Sequence, residues 1–92
     1  RLATHEDFAI RATSVKTLAT TRDFNNIPAL IYALTDPDVR IVVQARDGLR
    51  FISRKFAGFG LSDRPDGQEK RQAAQQWKDW FRSIRPDADF LN

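Results

Sequence analysis

The sequence predicts an all-α protein whose four helices form two antiparallel hairpins. Apolar residues recur at helical spacing in four segments, and Asp or Asn residues precede these segments as candidate caps. No segment shows the apolar–polar alternation of a strand. A chain of 92 residues suits one small domain. We expect hairpin 1 at about 5–35, hairpin 2 at about 37–85 and a tail at 86–92. Because the chain contains no Met, we also expect it to be a fragment of a longer protein.

The first hairpin begins with Thr4, a candidate N-cap followed three residues later by a carboxylate. An apolar stripe then predicts a helix from about Glu6 to Thr21: Phe8, Ala12, Val15, Leu18 and Ala19. Asn25 or Asn26 can cap a second helix of about nine residues, with Pro28 in its first turn. Because the connection is short, these two helices should pack antiparallel.

The second hairpin begins with a long helix that Asp36 or Asp38 can cap. Its apolar stripe is the most regular in the chain: Val39, Val42, Ala45, Leu49, Ile52 and Phe56. Gly48 costs this helix about 1 kcal/mol relative to Ala, so we expect another helix to approach closely there. A loop at 57–67 follows, and Asp66 with Glu69 resembles a capping box that starts the fourth helix. The apolar face of that helix comprises Ala73, Trp77, Trp80, Phe81 and Ile84.

The spacing of the helices indicates a repeat. The two long Asp-capped helices start about 31 residues apart, near residues 7 and 38. Units of roughly 30–45 residues, each a helical hairpin, are typical of an α-solenoid.

The junction between the two hairpins carries a resemblance to a known family. The stretch from Ala33 to Arg40 reads Ala-Leu-Thr-Asp-Pro-Asp-Val-Arg and resembles the junction of a HEAT repeat. The matching positions are Leu34, Asp36, Pro37, Val39 and Arg40. The resemblance implies a short α-solenoid, as in the C-terminal repeats of a larger bacterial HEAT-repeat protein. It also implies that the Asp and Arg form polar ladders between units and are structural. The long third helix and the eleven-residue loop depart from the family pattern.

Four basic residues form the sharpest candidate site. Arg46, Arg50 and Arg54 recur at steps of four on one helix, and Lys55 follows. Such a stripe could bind an acidic protein partner or grip phosphates. The simpler interpretation is a solvated helix face neutralised by Asp47 and neighbouring acids, and we favour it because the basic set is small and lacks exposed aromatic residues interleaved with it.

Other candidate sites favour structural interpretations. Trp77 and Trp80 could stack on bases or sugars, but their spacing makes them core residues, with Trp80 and Phe81 divided between the core and its edge. His5 lacks a second His or any Cys with which to bind a metal. The four serines lack a nucleophile signature: Ser14, Ser53, Ser62 and Ser83.

The leading functional hypothesis is a non-catalytic protein–protein interaction module, or scaffold, of HEAT-repeat type. Its partner would be acidic, because the net charge of the chain is +3. The alternative is binding of a nucleic-acid backbone through the basic helix face, as in some HEAT-like proteins. The third hypothesis is a subunit of a HEAT-like enzyme, which no residue supports. We expect no enzymatic activity, no cofactor, no metal and no membrane insertion, and the compartment stays open.

Overall fold

The computed structural model describes residues 7–55, 59 and 61–88, and within them the protein is all-α. Helix α1 spans Phe8–Thr20, a 3-10 turn spans Phe24–Asn26, and α2 spans Ile27–Ala33. Helix α3 spans Val39–Ser53 and α4 spans Gly67–Ile84. No strand occurs in these residues, so the predicted fold class is confirmed.

Aspartates cap the three long helices. The Asp7 carboxylate accepts a hydrogen bond from the Ala9 amide at 2.8 Å and starts α1. The predicted cap Thr4 lies outside the described residues. Asp38 caps α3 as predicted. Asp66 caps α4 as predicted, by accepting from the Glu69 amide at 2.7 Å.

The start of α2 differs from the prediction. The Asn26 side chain caps no helix and instead donates to the Leu18 carbonyl at 3.4 Å. Asp23 accepts from the Asn25 amide at 2.9 Å and starts the 3-10 turn, which leads directly into α2. The sequence gives Asp23 no advantage over the asparagines, because all three are good caps.

Helices α1 and α3 run side by side in the same direction. At one end of the pair, the Arg40 guanidinium lies 3.9 Å from the ring centre of Phe8. At the other end, the Arg22 guanidinium lies 4.3 Å from the ring centre of Phe51. These contacts join start to start and end to end, so the two helices are parallel. We call this pair the α1–α3 layer.

The close approach predicted at Gly48 is confirmed. A Cβ atom on Gly48 would lie 2.5 Å from the Cβ and 2.8 Å from the Cα of Ala19. Carbon atoms in contact need about 3.5–4.0 Å. The absence of a side chain at this position therefore sets the separation of α1 and α3.

Helix α2 supplies the centre of the core. Its residues Leu30 and Ile31 are buried, and α2 packs against both α3 and α4. Further fully buried residues come from α1 and α3, chiefly Val15, Ile41 and Leu49. This explains the apolar composition of so short a helix, because an isolated helix of seven residues is unstable and depends on packing.

The connection between α2 and α3, the predicted repeat junction, is fixed to α1. Asp36 is buried and accepts from the Arg11 Nε at 2.9 Å and from the Asp38 amide at 2.8 Å. Arg40 pairs with the Asp38 carboxylate at 2.8 Å while it covers Phe8. Leu34 is fully buried and Pro37 is exposed. Asp36 and Arg40 therefore both hold the start of α3 against α1.

Helix α4 runs antiparallel to α2. Near the start of α4, the Lys70 Nζ donates to the Asp36 carbonyl, just beyond the end of α2. Near its end, Trp80 contacts the ring of Phe24, with ring centres 6.2 Å apart, and Arg85 donates to the Asn25 side chain. Because α2 also runs opposite to α3, α4 points in the same direction as α3. This differs from the predicted second hairpin, in which α4 would return antiparallel to α3.

The aromatic residues of α4 lie where their spacing predicts. Trp77 and Phe81 are buried, and Trp80 lies at the edge of the core. Two expected core residues are exposed instead: Val39 at 40% and Ile84 at 48%. Each is a terminal residue of its helix, where the neighbouring helices no longer cover it. The predicted core residue Phe56 lies outside the described residues.

Candidate functional site

Arg46 is a structural residue that holds the connection between α3 and α4. It is only 8% exposed, which corrects the expectation that it lies on an exposed helix face. Its Nε pairs with Asp47 at 2.9 Å and its Nη1 pairs with Asp63 at 2.6 Å. The same Nη1 donates to the Leu61 carbonyl at 3.4 Å. The chain leaves α3 at its end and returns along α3 to reach Arg46, which explains why α4 starts beside the beginning of α3.

The pKa values around Arg46 reflect this network. Burial opposes the charge of Arg46, but its hydrogen bonds to Asp63 and Asp47 outweigh burial and raise its pKa. The pKa of Asp63 is lowered, because its carboxylate accepts a hydrogen bond from Arg46 and lies near that positive charge. The charge of Arg50 contributes to the same lowering. Both charged forms are thus stabilised in the folded protein.

The other three basic candidates lie in different surroundings. Arg50 is half-buried, and its Nε makes no hydrogen bond within the described part of the chain. Arg54 is exposed and ends α3 in the left-handed conformation, with φ of 62°. Lys55 is half-buried, with its Nζ 5.3 Å from the ring centre of Phe59. The structure therefore does not bring the four predicted side chains together on one exposed surface.

A groove on the outside of the α1–α3 layer is a better candidate. It has a volume of about 390 Å³, and we call it the outer groove. Its floor is formed by Ala19 and Gly48, whose small size lets the helix backbones meet. Phe51 forms a wall and is 41% exposed. The described residues that line it are Lys16, Ala19, Thr20, Gln44, Asp47, Gly48 and Phe51.

The outer groove carries an excess of positive charge. Lys16 is exposed on its α1 side and forms no ion pair with any described residue. Arg22 is exposed and stacks on Phe51. Asp47, the acidic residue of the described lining, shares the Arg46 guanidinium with Asp63. Lys16 and Arg22 together outnumber the single carboxylate of the described lining, so a negatively charged group entering the groove would meet a net positive charge.

The sequence offered only a partial signal for this groove. Gly48 indicated a close helix contact, but its neighbour Ala19 could not be assigned from periodicity. Phe51 lies off the apolar stripe of α3, which predicts that its ring is not part of the core. Lys16 lies on α1, 28 or more residues from the α3 lining in sequence, so only the folded structure places it with Phe51.

The described residues form neither a metal-binding cluster nor a membrane-spanning helix. Within residues 7–55, 59 and 61–88, no group of three or more His, Asp or Glu side chains could hold a metal ion. His5 lies outside those residues. None of the described helices has the length and hydropathy required to cross a bilayer.

Comparison with protein-family models, with curated proteins and with solved structures finds no match to the chain.

Proposed function

We propose that this chain is a non-catalytic protein–protein interaction module that binds its partner through the outer face of the α1–α3 layer. The observation that carries the proposal is the outer groove, where Phe51 stands 41% exposed beside a floor of small residues. Interaction sites commonly combine an exposed aromatic residue with an adjacent apolar depression.

The proposal retains the HEAT-repeat type as its architectural model. Two features support it: the Asp-Pro-Asp-Val-Arg junction at 36–40 and the parallel arrangement of α1 and α3, the first helices of two successive units. In a stacked array, such first helices lie side by side and form one face of the solenoid. The direction of α4 is a departure from a regular second unit.

Nucleic-acid binding is the less favoured function. Backbone recognition needs several exposed cations that can contact successive phosphates. Arg46 is engaged with two carboxylates, and Lys55 and Arg50 are half-buried. Among the four predicted residues, this leaves Arg54 as the exposed cation.

The test is a capture experiment with immobilised wild-type chain and two matched variants. Phe51→Ser removes the groove wall, and Ile84→Ser removes an equally exposed apolar side chain from α4. We expect the same protein partner to be recovered by the wild type and by Ile84→Ser and lost from Phe51→Ser. Equal recovery by all three would contradict the proposal, as would a captured complex that nuclease treatment abolishes.

A further inference from the structure

The outer groove is small, apolar at its base and cationic at its rim. Ligand sites for whole small molecules occupy about 300–1,000 Å³, and this groove, at about 390 Å³, lies at the lower limit. It has room for one or two side chains of a partner and not for a complete helix. The floor at Ala19 and Gly48 offers an inserted group no hydrogen-bonding side chain, so the inserted group should be apolar.

The cations at the rim of the groove indicate the charge of the ligand group that lies beside the inserted apolar group. Lys16 lines the groove from α1, and the Arg22 guanidinium lies 4.3 Å from the ring centre of Phe51. Asp47 also lines the groove and is only partly balanced by Arg46, which it shares with Asp63. Its single negative charge still leaves an excess of positive charge on Lys16 and Arg22. A carboxylate beside the apolar group would gain from both cations, whereas an ammonium group would meet repulsion.

We propose that the outer groove binds a peptide segment that carries an apolar side chain next to a carboxylate. The apolar side chain lies on Ala19 and Gly48 against Phe51, and the carboxylate lies between Lys16 and Arg22. This inference rests on the proposed function and specifies the chemistry of the partner. It also explains the position of Arg22, which keeps a cation beside the exposed ring of Phe51.

Two small probes with the same apolar part and opposite charges test the proposal. Amide chemical shifts of the ¹⁵N-labelled 92-residue chain are followed during titration with 4-phenylbutyrate and, separately, with 4-phenylbutylamine. We expect saturable shifts at the groove amides with 4-phenylbutyrate at millimolar concentration and weaker binding of the amine. Acetate is the control for charge alone, and it should not saturate the same amides.

Substitutions test the cationic rim and the aromatic wall of the outer groove separately. Lys16→Glu combined with Arg22→Glu should weaken 4-phenylbutyrate binding by about two- to fivefold, the effect of exposed charge pairs. Arg64→Glu combined with Arg71→Glu, at two exposed positions outside the groove lining, is the matched charge control and should change nothing. Phe51→Ser should abolish the saturable shifts of both probes, and Ile84→Ser should preserve them. Retained dispersion of the amide signals shows that each variant is folded.

The outcomes separate this inference from the proposed function. Equal or tighter binding of the amine would overturn the assignment of charge. No groove shifts with 4-phenylbutyrate would overturn the inference as a whole. The proposed function would nevertheless stand in either case if protein capture still depended on Phe51, and it would fall if capture did not.

Discussion

Replacement of Gly48 by Ala tests the contact that positions the α1–α3 layer. In an ordinary helix this change stabilises the protein by about 1 kcal/mol, because Gly is the poorer helix former. Here the new Cβ would lie 2.5 Å from the Cβ and 2.8 Å from the Cα of Ala19, and 3.5 Å from a methyl group of Leu30. Two of these three distances lie below ordinary carbon contact, and one of the two involves backbone.

The expected loss of stability follows from the distance by which α1 and α3 must move apart. To restore a normal carbon contact of about 3.5 Å, the two helices must move apart by roughly 1 Å. Overpacking of this kind costs typically 1–3 kcal/mol, and the upper part of that range applies because the neighbour is backbone. After subtraction of the helix-propensity gain, Gly48→Ala should lower the free energy of unfolding by about 2 kcal/mol.

Urea denaturation at equilibrium measures this change. With an m-value of about 1–3 kcal/mol per molar, we expect the midpoint to fall by roughly 1 M at unchanged m. The matched control is Gly67→Ala in the first turn of α4, where the new Cβ would meet only the end of the flexible Arg71 side chain, at 3.2 Å. This variant should be neutral or stabilised.

A second substitution tests whether the contact with Ala19 causes the loss of stability. Adding Ala19→Gly to Gly48→Ala removes the 2.5 Å contact but not the 2.8 Å contact with the Ala19 backbone. Because Ala19→Gly alone also costs about 1 kcal/mol of helix propensity, we expect the double variant to lose less stability than the sum of the two single variants. If Gly48→Ala stabilised the protein as much as Gly67→Ala does, the close approach of α1 and α3 would be refuted.

Three further predictions concern charged residues. The pKa of Asp38 is lowered from 3.8 to about 2, mainly by the hydrogen bond from Arg40, so its contribution to stability is complete above about pH 4 and is lost as pH falls toward 2. Asp38→Asn should keep the cap and flatten this part of the unfolding profile, and an unchanged slope would contradict the pairing. Arg54→Gly should raise the free energy of unfolding by about 0.5–1 kcal/mol, because φ of 62° favours Gly, whereas a loss in urea melts would point to a structural role of the side chain. Asp36→Ala should cost about 2–4 kcal/mol, because it removes the buried acceptor of Arg11, and a double-mutant cycle with Arg11→Met should show coupling, whereas strict additivity would argue against the ion pair.

The helices were predictable because their signals are local. Asp38 and Asp66 cap helices in the structure as their sequence positions indicated. Gly48 also indicated a close helix contact, since a glycine in the middle of a helix needs a packing reason. The cap at Asp23 was missed, because several good cap residues stand close together at 23–26 and local propensity cannot rank them.

The direction of α4 could not be predicted in the same way, because it depends on long-range contacts. Periodicity specifies which face of a helix is buried but not which way the helix runs against its neighbours. The decisive contacts join Arg46 to Asp63 and Lys70 to Asp36. They also explain the buried Arg46, since the basic stripe of α3 lies partly under the returning connection.

The outer groove could be predicted from the sequence only in part. Its floor was signalled by Gly48, and its exposed wall, Phe51, stood off the apolar stripe of α3. The charge of the groove could not be inferred from composition, because it depends on which cations already pair with carboxylates. Asp47 is adjacent to Arg46 in sequence, but only the structure shows their ion pair and places Lys16, which pairs with no described carboxylate, in the same groove lining.

The return of the chain along α3 is the central claim, because it places Arg46 inside the structure and leaves the outer groove as the candidate binding surface. Distances between paired spin labels test it directly, and the chain contains no Cys to interfere with labelling. One label at residue 25 is paired with a second label at residue 83 or at residue 68, near opposite ends of α4. We predict that the 25–83 distance is shorter than the 25–68 distance by on the order of 15 Å. A shorter 25–68 distance would contradict the claim and would restore an antiparallel pair of α3 and α4.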